Sequence, residues 1–202
     1  ANMCEKIPGA DVTMIAKGIG LDQRINPRFL NAGLGYGGSC FPKDMDALIA
    51  FSKKVGYKPV LLQSAQEVNE NQVKRVVEIV EEELRELEEK RIAILGLSFK
   101  PNTDDMRQAR SIPIINKLLE KGADIIAYDP VAIQKANNIF KDNIRYASSA
   151  IECLRDADCC ILVTEWEEFK ELKPEDFTEN MRQPILIDGR RIYNTCLLYT
   201  SD

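Results

Sequence analysis

The sequence predicts an α/β protein in which an all-helical region is joined by one long helix to a domain built on a parallel β-sheet. Apolar residues recur at helical spacing through residues 1–88, and the last stretch of that region, about residues 59–89, carries one continuous apolar stripe. From residue 89 onwards, short apolar runs alternate with amphipathic segments. Strands that alternate with helices are typical of a parallel sheet covered by helices on both faces.

The all-helical region is predicted to begin with two helical patterns. Residues 9–11 interrupt the first pattern, and Asp11 is placed to cap the helix that follows. After a turn-like stretch, a glycine-rich loop at residues 33–38 leads into a short amphipathic helix, which Pro42 is predicted to open. The acidic residues of the long helix are interpreted as its solvated face.

The second domain, residues 89–194, is predicted to contain five strands. They lie at residues 92–95, 124–128, 144–146, 159–163 and 185–187. Helices are predicted between them, at residues 112–121 and 133–140 and from Ser148 or Ser149 to Leu154. Because ligands of parallel sheets lie beyond the carboxyl ends of the strands, the residues that follow the strands should form one binding rim.

The second domain is predicted to be Rossmann-like but lacks the dinucleotide fingerprint. Only Gly96 stands where G-x-G-x-x-G would be needed after the first strand. A close approach of a pyrophosphate at that turn is therefore not supported. A mononucleotide, or no ligand, is expected at that turn.

Composition excludes several classes of function. The 202 residues carry a formal net charge of −5, with basic residues interspersed among acidic ones, so no nucleic-acid partner is expected. No apolar run approaches the ~20 residues of a membrane helix, and no signal peptide opens the chain, so we expect no membrane partner and a cytoplasmic location. The chain has six cysteines without a C-x-x-C motif and has no histidine, so no metal site is predicted.

The stretch 33–44 carries the chemistry. It places Cys40 at the end of the glycine-rich run, followed by Pro42, Lys43 and Asp44. Glycines allow positive φ and a close approach of the backbone to a ligand. A lysine and helix N-terminal amides favour a thiolate, and Asp44 would lie one helical turn beyond it. The residues indicate an activated cysteine on a ligand-cradling loop, although an ordinary turn with a small buried cysteine fits them equally well.

Five segments carry a family resemblance: residues 20–25, 29–46, 96–107, 127–130 and 188–190. In order and spacing, from residue 1 to about residue 193, the chain resembles the nucleotide-sugar 6-dehydrogenases of the UDP-glucose/GDP-mannose dehydrogenase family. The residues just after the cysteine favour the branch that acts on UDP-glucose over the branch that acts on UDP-N-acetylmannosamine. The branch that acts on GDP-mannose is the alternative.

The resemblance implies a chain that lacks part of the family's architecture. Family members have an amino-terminal NAD-binding Rossmann domain, a helical domain that forms the dimer, and a carboxy-terminal nucleotide-sugar domain. Only the second and third are matched here, by residues 1–88 and 89–194, so we expect an amino-terminally truncated enzyme. The implied cofactor is NAD, with its main binding domain absent. The implied partners are UDP-glucose and further copies of the chain, in a homodimer or higher homo-oligomer formed through the helical domain.

The resemblance also implies a mechanism and its residues. UDP-glucose would be oxidised to UDP-glucuronate in two hydride transfers to NAD, through a thiohemiacetal and a thioester on Cys40, with Asp44 as the second catalytic residue. Lys43 and Arg107 would contact the cofactor. The residues implied in substrate binding are Arg24, Phe29, Asn31, Ala32, Gly33, Leu34, Gly35, Tyr36, Gly37, Phe99, Lys100 and Arg190. Asp104 and Asp105 are interpreted as helix-capping residues.

Two other functions fit the same sequence. One is a non-catalytic module that binds a nucleotide-sugar, and the other is a structural, dimer-forming fragment whose cysteine loop is only a turn. Residues 195–202 match nothing expected in the family and are interpreted as an atypical tail, either non-native or truncated, so Cys196 is given no role.

Overall fold

The computed structural model describes residues 1–193. Residues 194–202, which include the predicted tail and Cys196, lie outside the described part of the chain. The chain divides into two units, Ala1–Gly33 and Leu34–Asp202.

The first unit contains one α-helix, α1 (Val12–Gly20), and two 3₁₀ turns, Cys4–Lys6 and Pro27–Phe29. The predicted cap is confirmed, because the Asp11 carboxylate accepts a 2.8 Å hydrogen bond from the Thr13 N–H. The helical pattern before it forms only a 3₁₀ turn. Pro8 and Gly9 interrupt it, and Gly9 has a φ of +77° that a helix does not allow.

The second unit begins with two helices, α2 (Phe41–Lys54) and α3 (Val60–Leu84). Pro42 lies in the first turn of α2, as predicted, and Cys40 is the N-cap residue. The long helix ends five residues before the predicted boundary at residue 89, because Arg85 adopts a φ of +65°. The predicted apolar stripe is the buried face of α3. It comprises Val73, Val76, Val77, Val80 and Leu84.

Five parallel strands form one sheet in the order β3-β2-β1-β4-β5. The strands are β1 (Arg91–Leu95), β2 (Asp124–Tyr128), β3 (Arg145–Tyr146), β4 (Cys159–Leu162) and β5 (Leu186–Asp188). The chain crosses from one side of β1 to the other between β3 and β4. The predicted α/β class and parallel sheet are confirmed, with each predicted strand within two residues of its expected position.

The helices that cover the sheet are partly those predicted. The predicted ones are α4 (Ser111–Glu120), α5 (Ile133–Phe140) and α6 (Ala150–Leu154). Two short helices, α7 (Glu167–Lys170) and α8 (Pro174–Asn180), and a 3₁₀ turn at Lys141–Asn143 were not predicted. In α8 the Lys173 N–H donates to the Asp176 carboxylate at 2.8 Å, which satisfies a free amide at the helix start.

Both faces of the sheet are buried. Ile92 and Ile94 of β1 belong to one apolar cluster, which includes residues of α3, α4 and α5. Ala93 and Leu95 belong to a second cluster on the opposite face, together with residues of α6 and α8. All four side chains are completely inaccessible to solvent. This double burial explains why β1 reads as a continuous apolar run.

Within residues 1–193, none of the helices has the length and apolar character that crossing a membrane requires.

Candidate functional site

The glycines before Cys40 let the cysteine loop, residues 34–40, lie directly against the rest of the second unit. A Cβ atom added to Gly37 would come within 2.1 Å of the Gln108 carbonyl oxygen, and one on Gly38 within 2.7 Å of the Phe99 ring. Gly38 also has a φ of +88°, and its N–H donates to the Arg107 carbonyl at 2.9 Å. The close approach predicted for a ligand is therefore made, at these two positions, by the protein itself.

Cys40 lies at the amino-terminal end of α2, with its side chain exposed to solvent. The Asp44 N–H donates to the Cys40 carbonyl at 2.8 Å, so Asp44 follows the cysteine by one helical turn, as predicted. The Asp44 carboxylate forms a 2.9 Å ion pair with Lys43. The Ser39 hydroxyl lies 3.7 Å from the sulfur. The alternative of a small buried cysteine does not hold, because Cys40 is exposed.

Two cations lie within electrostatic reach of the Cys40 sulfur. The pKa of Lys43 is raised mainly by its hydrogen bond to Asp44, with a smaller contribution from Cys40. The pKa of Arg107 is raised mainly by its hydrogen bond to Asp105, again with a smaller contribution from Cys40. Nucleophilic cysteines occur in such electropositive, solvent-accessible surroundings.

Phe99 and Lys100 lie in the segment that follows β1. Phe99 packs against the backbone of Gly38, and the Lys100 ammonium lies 5.4 Å from the centre of the Phe99 ring. The structure therefore brings together the cysteine loop, Phe99 and Arg107. These parts of the chain are separated by about sixty residues in sequence.

Arg190 lies just beyond β5 and is mostly buried. Its Nε donates to the Val163 carbonyl at 2.6 Å and lies 3.2 Å from the Glu165 carboxylate. Burial lowers the pKa of Arg190, and Glu165 opposes that effect. The preceding residue, Gly189, leaves room for Leu34, since an added Cβ would come within 2.5 Å of the Leu34 Cδ1. The start of the cysteine loop therefore packs beside Arg190.

Asn69 of α3 was not predicted and holds the cysteine loop. Its side-chain oxygen accepts from the Tyr36 N–H at 2.7 Å, and its side-chain nitrogen donates to the Tyr36 carbonyl at 3.2 Å. Arg110, which precedes α4, donates to the same carbonyl from Nε at 2.8 Å. Asn69 stands four residues before Val73, where the apolar stripe of α3 calls for an apolar residue. That interruption is the signal that could have identified it.

Asp129 was also not predicted and organises the rim of the sheet. One of its buried oxygens accepts from the backbone N–H groups of Leu97 and Ser98, at 2.7 and 3.1 Å, and from the Trp166 indole at 3.1 Å. The other accepts from two backbone N–H groups at the start of the next helix. An aspartate directly after a buried strand is the signal, although it does not reveal which groups the carboxylate binds.

The interpretation of Asp104 and Asp105 as helix caps is wrong, because no helix begins there. Asp104 forms a 2.8 Å ion pair with Lys135. Asp105 binds the side chain of Arg107 through both carboxylate oxygens, and this hydrogen bonding lowers the pKa of Asp105 to about 2. In the part of the chain that the structure describes, no three of the potential metal-binding side chains form a group that could hold a metal ion.

The remaining predicted substrate residues belong to the first unit. They are Arg24, Phe29, Asn31, Ala32 and Gly33. Arg24 forms an ion pair with Asp22 at 2.6 Å, and Phe29 is 89% exposed. Their participation in a substrate site stays a prediction.

Family models match both parts of the chain. The central domain of the UDP-glucose/GDP-mannose dehydrogenase family matches residues 1–71, and the UDP-binding domain of the same family matches residues 93–195.

Individual relatives agree with the family models. The chain is 48% identical over 192 residues to a UDP-glucose 6-dehydrogenase of Haloferax volcanii, a match covering 95% of this chain and 44% of that relative. It is 41% identical to a UDP-glucose 6-dehydrogenase of Bacillus subtilis, covering 96% of this chain and 42% of that relative. The chain thus spans less than half the length of these relatives.

A solved structure has the same fold. The UDP-glucose dehydrogenase of Pyrobaculum islandicum superimposes with a TM-score of 0.85 at 35% identity, covering 91% of this chain and 41% of that one. A GDP-mannose dehydrogenase of Pseudomonas aeruginosa shares the fold, with a TM-score of 0.69 at 23% identity, covering 94% of this chain and 45% of that one.

Proposed function

Because the chain belongs to the UDP-glucose/GDP-mannose dehydrogenase family, we propose that it is the substrate-binding and cysteine-bearing part of an NAD-dependent UDP-glucose 6-dehydrogenase. The observation that carries the proposal is the position of Cys40. It is an exposed thiol at the amino-terminal end of a helix, with Lys43 and Arg107 in electrostatic reach and Asp44 one turn further on.

The proposed role of Cys40 is to capture an aldehyde at C6 of the sugar. Its thiolate attacks the carbonyl carbon, a C–S bond forms, and the carbonyl electron pair moves to the oxygen, which gives a thiohemiacetal. After oxidation of this adduct to a thioester, water attacks the same carbon. Asp44 orients that water, the C–S bond breaks, and the thiolate of Cys40 leaves with the bonding pair. The oxygen of the water becomes part of the product carboxylate, and the two protons of the water pass to solvent. Covalent capture keeps the aldehyde in the site between the two oxidations.

NAD, the family's hydride acceptor, supplies both oxidations when it is bound. The sheet of the second unit does not fit a dinucleotide. At the turn after β1, an added Cβ on Gly96 would come within 2.5 Å of Thr164, so that space is filled. Asp129, at the end of β2, is buried and engaged with protein donors. Lys43 and Arg107 are 73% and 70% exposed, and we propose them as contacts to the cofactor from outside the sheet.

The proposed substrate site is the rim formed by the cysteine loop, Phe99, Lys100 and Arg190. Its supports are the UDP-binding-domain match and the packing of Leu34 and Gly38 against this rim. UDP-glucose is the proposed substrate, because the most similar relatives described above are UDP-glucose 6-dehydrogenases. GDP-mannose is the alternative.

We also propose a homodimer or higher homo-oligomer in the cytoplasm. Large apolar side chains on α2 and at the start of α3 are exposed in the second unit, and they support an interface between copies. They include Phe41, Leu48 and Phe51 on α2, Val55 directly after it, and Val60 and Leu61 on α3. Association of identical chains is measured by sedimentation velocity. A monomer at all accessible concentrations would contradict this part of the proposal.

Calorimetric titration of the chain tests the substrate. UDP-glucose is expected to bind more tightly than GDP-mannose. Binding of neither ligand would contradict the proposed substrate and favour a structural fragment. The 202-residue chain alone is expected not to reduce NAD in the presence of UDP-glucose, since its sheet does not fit a dinucleotide. Detectable NADH formation would overturn that expectation.

A further inference from the structure

The backbone of Tyr36 is held by side chains from two different elements. Asn69 of α3 binds both its N–H and its carbonyl, and Arg110 binds the same carbonyl. Gly35 makes this contact sterically feasible, because an added Cβ would come within 2.4 Å of the Asn69 side-chain oxygen. Tyr36 therefore has no freedom to move without breaking three hydrogen bonds.

The two side chains that hold Tyr36 are buried, and the charge of Arg110 is balanced by a carboxylate. Asn69 and Arg110 are each only 5% exposed. The guanidinium of Arg110 forms hydrogen bonds of 3.1 and 3.2 Å with the carboxylate of Glu70, the neighbour of Asn69 on α3. Asn69 thus holds the loop directly. Its neighbour Glu70 holds the loop indirectly, by binding Arg110. Buried polar groups that are fully paired in this way specify one conformation.

The loop has a second anchor between Tyr36 and the cysteine. The Gly38 N–H donates to the carbonyl of Arg107, whose side chain is one of the two cations in reach of Cys40. The two anchors are two residues apart, and Cys40 follows the second by two residues. A shift at Tyr36 would therefore change the position of the sulfur relative to Arg107.

We infer that Asn69 and Arg110 are positioning residues that hold the Cys40 thiol in register with its neighbouring cations. Neither side chain takes part in the chemistry. Both act through the backbone of Tyr36. This inference rests on the proposed nucleophilic role of Cys40, and it adds the structural elements that set its place.

The test compares how fast iodoacetamide alkylates Cys40 and Cys4 in the whole chain at neutral pH, read by peptide mass spectrometry. In Asn69→Ala, Cys40 is expected to react about fivefold more slowly, because the sulfur loses its fixed position at the amino-terminal end of α2 and beside the Arg107 segment. Cys4 serves as the internal reference and is expected to keep its rate. The matched control is Asn71→Ala, which changes an exposed asparagine on the same helix.

Rescue separates positioning from a general loss of structure. Asn69→Gln retains both the acceptor for the Tyr36 N–H and the donor for the Tyr36 carbonyl, on a side chain one methylene longer, and is expected to recover at least half of the Cys40 rate. Arg110→Lys keeps a positive charge for Glu70 but loses the guanidinium N–H that binds the Tyr36 carbonyl. The alkylation of Cys40 should therefore be slower in this variant, as in Asn69→Ala. If Asn69→Ala does not fold, these two variants decide.

The inference is overturned if Cys40 is alkylated at the wild-type rate in folded Asn69→Ala or Arg110→Lys, or if Asn71→Ala slows it equally. This outcome is independent of the proposed function. A failure of the wild-type chain to bind UDP-glucose would remove the proposed substrate and leave the alkylation result intact.

Discussion

At the scale of single residues, burial separates Cys40 from three other cysteines. Cys153, Cys159 and Cys160 are completely buried, and desolvation raises the pKa of the first two thiols to about 12 and that of the third well above its ordinary value. Cys40 is exposed.

We predict that alkylation of the folded chain at pH 8 labels Cys40 and leaves these three cysteines unlabelled, because only thiolates react and buried thiols stay protonated. Peptide mass spectrometry measures the label at each site. Unfolding in denaturant is the control and should expose all of them. Rapid labelling of Cys160 in the native chain would show that the packing of the sheet is wrong.

The glycines of the cysteine loop give a second residue-scale prediction. Gly37→Ala places a methyl group against the Gln108 carbonyl and is expected to lower the free energy of unfolding by about 1–3 kcal/mol. Gly18→Ala, inside α1 where the added methyl meets no atom within 4 Å, should be neutral or raise it by up to about 1 kcal/mol. Denaturant titration measures both, and equal effects would contradict the close packing of the loop.

The bond between Arg107 and Asp105 predicts a pH dependence. Arg107→Gln should raise the pKa of Asp105 from about 2 towards its ordinary value of 3.8. Because the folded state depresses this pKa, the bond stabilises the protein above pH 3.8, and the stabilisation is lost as the pH falls from 3.8 to about 2. Carboxyl NMR titration measures the shift. Lys100→Gln, which removes a nearby cation that does not bind Asp105, should leave the pKa unchanged.

At the scale of elements, Asp129 joins the carboxyl ends of β1 and β2 to the segment before α7. Both carboxylate oxygens of Asp129 accept hydrogen bonds, and Asp129→Asn replaces one of them with an NH₂ group that faces N–H donors. We therefore expect the free energy of unfolding to fall by about 3 kcal/mol. Urea unfolding measures it, with the exposed Asp142→Asn as the matched control. A stability loss no larger than that of the control would mean that this carboxylate does not hold the rim together.

The elements themselves were largely predictable from the sequence, for physical reasons. Strands buried on both faces leave continuous apolar runs, and helices that cover them leave stripes, so β1, β2, α4 and α5 could be located. The helices α7 and α8 could not, because they are short and their sequences, EEFK and PEDFTEN, show no clear stripe. The end of α3 was misplaced because the positive φ of Arg85 is rare in residues other than glycine.

At the scale of the whole molecule, the candidate site was only partly predictable. Cys40, Lys43 and Asp44 are adjacent in sequence, so their proximity follows from one helix start. Asn69 and Arg110 hold the loop across distances in sequence that no local pattern encodes. Their roles depend on packing between α3, α4 and the loop, which only the folded chain reveals.

The central claim is that a nucleotide-sugar binds beside Cys40, and protection of this thiol tests it most directly. The chain is treated with iodoacetamide at increasing concentrations of UDP-glucose, and labelling at Cys40 and Cys4 is read by peptide mass spectrometry. We predict that UDP-glucose slows labelling of Cys40 in a saturable manner, more effectively than GDP-mannose, and leaves Cys4 unaffected. An unchanged Cys40 rate at UDP-glucose concentrations that saturate calorimetric binding would contradict the claim.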